Sequence, residues 1–483
     1  MEIHLLKSEM AVALLMGWLL LVDLFMPRIP KRYLARTAVV FLLGITGWLV
    51  WTGAGVGERW MEGVLVGGGG MFVLDGLALW GKEFAFWAAL FAMVAGMRFA
   101  GKDDDHLVER VFLQLAACLG MMLLASASHF ALVFVALELV TVVFYVLVAS
   151  RRHDGLSVEA GVKYLIYGAM SSGVMLYGMA LVYGATGSLG FAETARVAAQ
   201  PTPPMLLKMG LLLMLAGLGF KLAAAPFHWW APDVYEGAPT PVTAFLATLS
   251  KGAGFVLLVR MLTVAFGGMK EFWLPVIGVM AGLSLLFGSL GGISQTSLKR
   301  LMGYSSVAHT GFMLLGVAAV SCAGLGGVLY YLTGYLLANA LVFGVMCETS
   351  GENPYQEIRE YAGLGARSRW LAGALLIGLL SLSGIPPLAG FVAKLLMFKA
   401  AWQGGMTVLL GIALLAAVVS LYYYLNVIRH MYAGEPVLTD GLRVPYGVKL
   451  LQGALAAGVV AVGFFPGPWW DGSLMIVRAL AGR

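Results

Sequence analysis

The residues of this chain that could do chemistry are charges placed where charge is expensive. Glu138 stands in the middle of Phe130 to Ala149, a run with no other charged residue. A charge at that depth in a bilayer costs about 2.5–3.5 kcal/mol even on insertion scales, so it faces protein or water and usually works. Its bland alternative is a structural carboxylate capped by Thr141, one helical turn on. Lys221 lies deep in an apolar run that ends in Ala223-Ala-Ala-Pro-Phe-His-Trp-Trp-Ala-Pro-Asp233, and Lys251 lies halfway along the next run. Neither can easily extend its ammonium to an interface. Lys394 follows Ser383-Gly-Ile-Pro-Pro-Leu-Ala-Gly390; snorkelling is its alternative, because Lys399 is close behind. Lys163 enters a span four residues after Glu159, a spacing that also suits a simple interfacial bridge. His228 and His309 are candidate relay groups, since imidazole titrates near neutral pH, with a satisfied core histidine as the alternative for each. His309 lies among the hydroxyls of Tyr304-Ser-Ser-Val-Ala-His-Thr-Gly311. Lys82 and Glu83 are adjacent on different helix faces. Lys208 and Arg260 sit near span ends, where snorkelling is the better reading, and His129 at a span junction reads as structural. Protonation of a buried lysine responds to a nearby carboxylate, so this set suits proton transfer.

The elements that must position these groups are membrane helices. Of 483 residues, 60% are hydrophobic and 12% charged, with a mean hydropathy of +0.88, against about 25% charged in soluble domains. Apolar residues come in runs of about 20, the length that crosses a hydrocarbon layer about 30 Å thick. About 14 spans are expected, near 9–26, 35–52, 70–97, 109–127, 129–149, 157–185, 205–225, 239–265, 274–293, 300–320, 325–347, 370–398, 405–431 and 447–465. Loops are expected at Pro27 to Pro30, Gly53 to Gly57, Gly67 to Gly70, Lys102 to Asp105, Arg151 to Gly155, Pro201 to Pro204 and Gly351 to Pro354. The first run reads as a retained span, because its basic cluster follows the apolar stretch instead of preceding it.

The net charge of +6 and pI near 9.1 come from short loops between apolar runs, which is an orientation signal and not a nucleic-acid surface. With both termini outside, inner loops hold roughly 17 Lys and Arg and outer segments roughly 7. Cys118, Cys322 and Cys347 lie in apolar runs without CxxC or Cys/His spacing, so disulfide, zinc and iron–sulfur readings fail; small core residues are expected. No dinucleotide-binding glycine pattern follows a strand.

Pro226 after Ala225, and Pro386-Pro387 after Ile385, interrupt two helices, and the freed backbone groups need protein or water as partners. Paired interrupted spans mark inverted repeats around an ion path. The expected organisation is an N-terminal three-helix segment (1–108), a first five-helix repeat (109–265), a second (274–432), and a last span with a short tail (433–483).

These residues also carry a resemblance. The stretch from Gly217 to Leu246, with Asp233-Val-Tyr-Glu-Gly-Ala-Pro239 inside it, resembles the signature of the antiporter-like subunits of respiratory complex I, most closely its N subunit. Leu137-Glu-Leu139, the Lys163-Tyr164 stretch before Gly184 to Gly187, Lys299 to His309, and Ser383 to Phe391 fit too, so the likeness covers about 70 to 430. It implies a 14-helix antiporter-like fold, with Glu138, Lys163, Lys221, Lys251 and Lys394 on proton-pathway positions. It implies a subunit of a proton-pumping NADH-quinone oxidoreductase in the bacterial inner membrane, without a cofactor or redox centre of its own. FMN, iron–sulfur clusters and quinone then belong to other subunits, and the partners are the other membrane subunits and the peripheral arm. Ser128-His129-Phe130 departs from the family, where an Asn-Asp-like pair is expected. The chain ends about 18 residues past its last span, unlike the L subunit with its long lateral helix. Two other readings use the same helices: an Mrp-type cation/proton antiporter subunit, and a scaffold that moves no ions.

Overall fold

The computed structural model describes residues 6–26, 28–56, 65–67, 70–99, 106–350, 356–435, 441–442 and 444–481. The loop expectations at Lys102 to Asp105 and Gly351 to Pro354 lie outside them. Among the described residues, eleven helices are long and apolar enough to cross a membrane, and further apolar helices accompany them, so the all-α polytopic reading holds.

The chain opens with α1 (Lys7–Phe25), α2 (Lys31–Val56) and α3 (Gly76–Phe99), with a ribbon of β1 (Leu65–Gly67) against β2 (Phe72–Leu74) before α3. The loop expected from Gly53 is a correction, because α2 stays helical to Val56. Each helical glycine costs only about 1 kcal/mol relative to alanine, too little to end an otherwise apolar helix. Gly67 is likewise paired, in register with Phe72.

Then come α4 (Leu107–Ala125), α5 (Phe130–Val148), α6 (Gly155–Thr186), a short α7 (Phe191–Ala198) between two expected spans, α8 (Met205–Lys221) and α9 (Trp230–Gly237). The next span is one rod, Thr240–Ala265. It is built from α10 (Thr240–Phe245), a π-helical turn at Leu246–Ser250, α11 (Lys251–Arg260) and a second π turn at Met261–Ala265. The second half holds α12 (Lys270–Ile293), α13 (Leu298–Ala318), α14 (Cys322–Thr349), α15 (Leu364–Arg367), α16 (Arg369–Ser383), α17 (Ala389–Gln403) and α18 (Thr407–Ala433). It closes with α19 (Tyr446–Phe464) and α20 (Pro466–Ala481). The short tail expected after the last span is therefore a helix, which packs on α14 and α3 with Val477 and Leu480 buried.

Helix ends follow local chemistry. Ser297, Ser321 and Ser368 cap α13, α14 and α16 through their side chains, as N-cap serines do. His129 accepts from Ala131 N at 3.2 Å and caps α5. Beside it Ser128 N donates to Met71 O, and Phe191 N to Ser128 O, so this junction ties β2 and α7 to α5. The Ser128-His129-Phe130 departure is filled by a structural role.

The rod and α13 form the middle of the molecule: the most apolar window of the rod is wholly buried, and that of α13 is 94% buried. Close approach makes this possible. A side chain at Gly311 would meet Leu285 N at 2.7 Å, which fixes how near α12 lies to α13.

Candidate functional site

Two helices of this bundle stop inside it, and they stop in the same way. After α8, Ala223 takes a left-handed φ of 53°. Ala223 N donates to Phe220 O at 2.9 Å and Ala224 N to Gly219 O at 2.8 Å. After α16, Gly384 takes φ 87°; Gly384 N donates to Ser381 O at 3.0 Å and Ile385 N to Leu380 O at 3.0 Å. Both sets form the paired hydrogen bonds that satisfy the last carbonyls of a helix through a left-handed residue. Pro226, Pro386 and Pro387 follow and prevent the helix from resuming.

What the breaks leave open is taken up by side chains, and these carry the candidate site. At the first break, Ala225 N donates to Ser284 Oγ at 2.8 Å, and Leu222 O accepts from Thr310 Oγ1 at 2.8 Å. At the second, Leu382 O and Ser383 O accept from Lys394 Nζ at 3.0 and 2.8 Å. A cation at the C-terminal end of a helix is favourably placed against its dipole. Lys394 is only 4% exposed, so it does not reach for an interface as its neighbour Lys399 allowed.

Lys221 is the last residue of α8. Its Nζ donates to Thr141 Oγ1 at 2.7 Å and to Ser172 Oγ at 3.4 Å, and Ser172 Oγ donates to Glu138 Oε1 at 2.5 Å. Thr141 therefore serves the lysine and its own helix (Leu137 O, 2.7 Å), and does not cap Glu138. Lys251 directly follows the first π turn of the rod, a feature that often accompanies function. Its Nζ donates to Ser306 O at 2.7 Å and to Thr310 Oγ1 at 2.5 Å, so Thr310 joins Lys251 to the first break. His309, one residue before Thr310, has Nδ1 2.6 Å from Tyr331 Oη and Nε2 3.2 Å from Tyr424 Oη. Tyr424 in turn bonds Ser305. Beyond them, Lys394 Nζ stands 4.7 Å above the Phe312 ring. All of Lys221, Lys251, His309 and Lys394 are buried.

Two residues from the sequence set stand elsewhere. Lys163 bridges Glu159 at 2.8 Å and Asp233 at 2.9 Å, and Arg300 bridges Asp233 at 2.7 Å and Glu236 at 2.9 Å. The Lys163 side chain is 39% exposed, so this network ties α6, α9 and α13 together near one end. His228 is buried, with its ring stacked against Trp229 and Phe287 at 4.8 and 5.4 Å. Among the described residues its Nδ1 has no hydrogen-bond partner, and it does not join the lysines.

Arg260 is the clearest correction. Its side chain is 2% exposed and does not snorkel: it makes a two-pronged pair with Asp75 at 2.7 and 2.8 Å and donates to Ala125 O at 2.8 Å. Lys82 is fully buried and pairs with Glu9 of α1 at 2.8 Å. Cys118 is buried as expected, whereas Cys322 and Cys347 lie at the edge of the core. Sequence reasoning missed Ser172, Tyr331, Tyr424 and Asp75, while Ser306 lay in the hydroxyl stretch noted beside His309. The hydroxyls before His309 were visible as a signal; the Asp75 pairing, 185 residues from Arg260, had none. Among the described residues, no three His, Cys, Asp or Glu cluster as metal ligands would.

Similarity to known proteins agrees with this geometry. The model of a family described as NADH:quinone oxidoreductase/Mrp antiporter, transmembrane, matches residues 127–420. NADH-quinone oxidoreductase subunit N of Desulforamulus reducens is 38% identical, with 96% of each chain covered. That of Heliobacterium modesticaldum is 37% identical over 99% of this chain and 100% of its own. Among solved structures, a chain of respiratory complex I from Thermus thermophilus superposes with a TM-score of 0.82 at 33% identity, covering 96% of this chain and 98% of its own. A chain of the Mrp complex from Dietzia sp. shares the fold, with a TM-score of 0.87 at 21% identity, covering 100% and 98%. This chain belongs to the NADH:quinone oxidoreductase/Mrp antiporter transmembrane family and, within it, to the subunit N proteins of NADH-quinone oxidoreductase.

Proposed function

We propose that this chain translocates protons as part of the membrane arm of a proton-pumping NADH-quinone oxidoreductase. The observation that carries the reading is the line from Glu138 through Ser172 to buried Lys221, then Thr310–Lys251, then His309 and Lys394, each member held by hydroxyls or backbone carbonyls. In such a line Lys221, Lys251 and Lys394 each hold a proton in turn, and His309 relays between the last two. Glu138 is the partly exposed member, so a neighbouring subunit or a conformational step can act on it from outside. Moving a carboxylate relative to a lysine changes which protonation state is favoured. Lys163 belongs in this reading to proton uptake at the margin of the line, and His228 to an accessory position.

The two five-helix segments, 109–265 and 274–432, act as inverted repeats, with 1–108 and 433–483 flanking them. The matching closure at Ala223 and Gly384, with a lysine at each break, supports that equivalence. The setting is the bacterial inner membrane with both termini on the outer side. FMN, iron–sulfur clusters and quinone reside in other subunits, and the other membrane subunits and the peripheral arm are the partners. Redox events there supply the driving energy: moving one charge against 100 mV requires about 2.3 kcal/mol.

The test is proton uptake per NADH oxidised in vesicles carrying the intact complex. Glu138→Gln abolishes uptake while assembly persists, and Glu138→Gln with Lys221→Met is little worse than either change alone, as residues acting as one unit require. Multiplying losses would mean that the two act independently.

A further inference from the structure

Away from that line, a crevice of about 390 Å³ opens between α3, α14 and α19. Its walls are mostly apolar, formed by side chains such as Phe91 and Leu451 and by Gly344. Arg98 and Glu348 stand among its lining residues, joined through paired hydrogen bonds at 3.2 and 3.1 Å. Gln452 also lines it. That side chain is 2% exposed, and among the described residues neither its Nε2 nor its Oε1 has a hydrogen-bond partner. An amide buried in this way carries a desolvation penalty unless something hydrogen-bonds it.

Depth identifies what would satisfy it. Arg98 is one residue from the end of α3 and Glu348 one from the end of α14, whereas Gln452 is six residues into α19. At 1.5 Å per residue, the amide lies about 9 Å inward from the start of its helix. The charged pair is therefore at headgroup level and the amide at the level of glycerol esters, with apolar wall beyond. We propose that this crevice is a binding site for one glycerophospholipid. Its phosphate meets, at the rim, the Arg98 N–H groups that Glu348 does not take, an ester carbonyl accepts from Gln452 Nε2, and an acyl chain lies along Phe91 and Gly344. Basic groups at the margins of gaps between membrane helices are suited to such headgroups.

The experiment uses the intact complex in membranes, treated with a phosphatidyl lipid bearing a photoreactive acyl chain, and separately with a photoreactive quinone analogue. Crosslinks from the phospholipid to peptides of α3, α14 or α19 are expected. They should fall by about fivefold or more in Gln452→Leu, which removes the hydrogen-bonding group. Gly344→Leu, whose new Cβ has 3.7 Å to the Phe91 ring, should block the crevice and abolish labelling while the amide stays. Equal labelling in wild type and both variants, or labelling by the quinone analogue alone, would overturn the proposal. Should Gln452→Leu fail to assemble, Gly344→Leu decides the question by itself.

Discussion

Lys221 and Glu138 meet through Ser172, whose hydroxyl donates to Glu138 Oε1 at 2.5 Å and lies 3.4 Å from Lys221 Nζ. A bridged pair differs from a contact pair, because the bridge can be removed without removing either charge. Ser172→Ala leaves both charges and all helices in place. Hydrogen bonds to charged groups contribute about 1.5–3 kcal/mol, so proton uptake per NADH should fall by about tenfold or more. Assembly on native gels should be unchanged, and Ser172→Thr should restore most of the activity. Uptake unaffected by Ser172→Ala would mean that Glu138 communicates with Lys221 by another route.

Thr310 holds the second link. Its hydroxyl accepts from Lys251 and lies 2.8 Å from Leu222 O at the first break. Thr310→Val keeps the shape and deletes the hydroxyl, leaving Leu222 O without that donor and Lys251 with one acceptor fewer. A buried polar group left unmatched costs about 1–3 kcal/mol. The expected result is loss of most proton uptake with a modest drop in thermal stability, and Thr310→Ser should retain both. If Val behaves like Ser, the hydroxyl takes no part in transfer.

The two breaks make an unequal pair of backbones. Ala223 holds a left-handed φ that costs an L-residue roughly 1–2 kcal/mol, where the second break uses Gly384. Ala223→Gly should therefore be tolerated or mildly stabilising in thermal unfolding of the complex. Gly384→Ala should be harmful on two counts: the conformation is strained, and its Cβ would stand 2.9 Å from Lys394 Cδ. Lower uptake with displaced Lys394 is the expected outcome. Normal activity in Gly384→Ala would show that the position of Lys394 is not critical.

These relationships explain how far the sequence could be read. Glu138, Lys221, Lys251 and Lys394 announced themselves because a lone charge in an apolar run has few innocent explanations. The breaks did so because proline cannot continue a helix. Ser172 and Tyr424 could not, since hydroxyls are common in membrane helices and only packing decides which ones meet a charge. The π turn before Lys251 has no residue signature in Leu246–Ser250. Helix α20 falls in the short tail expected past 465, and its Pro466 sits at the helix start, where proline is well accommodated. His228 was conspicuous by type and motif, but only packing could show that its ring stacks on Trp229 and Phe287 apart from the lysines.

Arg260 shows the same limit from the other side, and its pairing with Asp75 can be tested apart from proton transfer. Distance from a span end predicted snorkelling, but the guanidinium is turned inward onto a carboxylate that precedes α3. Removing one partner of a buried pair strands the other charge and costs about 3–5 kcal/mol, whereas removing both charges is often neutral. Arg260→Met alone should therefore lower the amount of assembled complex and its thermal stability. Asp75→Asn combined with Arg260→Met should recover much of both. Asparagine is chosen because Asp75 also accepts from Ala78 N at 2.8 Å as the cap of α3, a role that asparagine can keep. In whatever fraction assembles, proton uptake per NADH should match wild type, since the pair lies outside the Glu138–Lys394 line. Undiminished assembly of Arg260→Met would show that this side chain is dispensable to packing. Uptake lost in a fully assembled double variant would instead place Arg260 and Asp75 among the groups that carry protons.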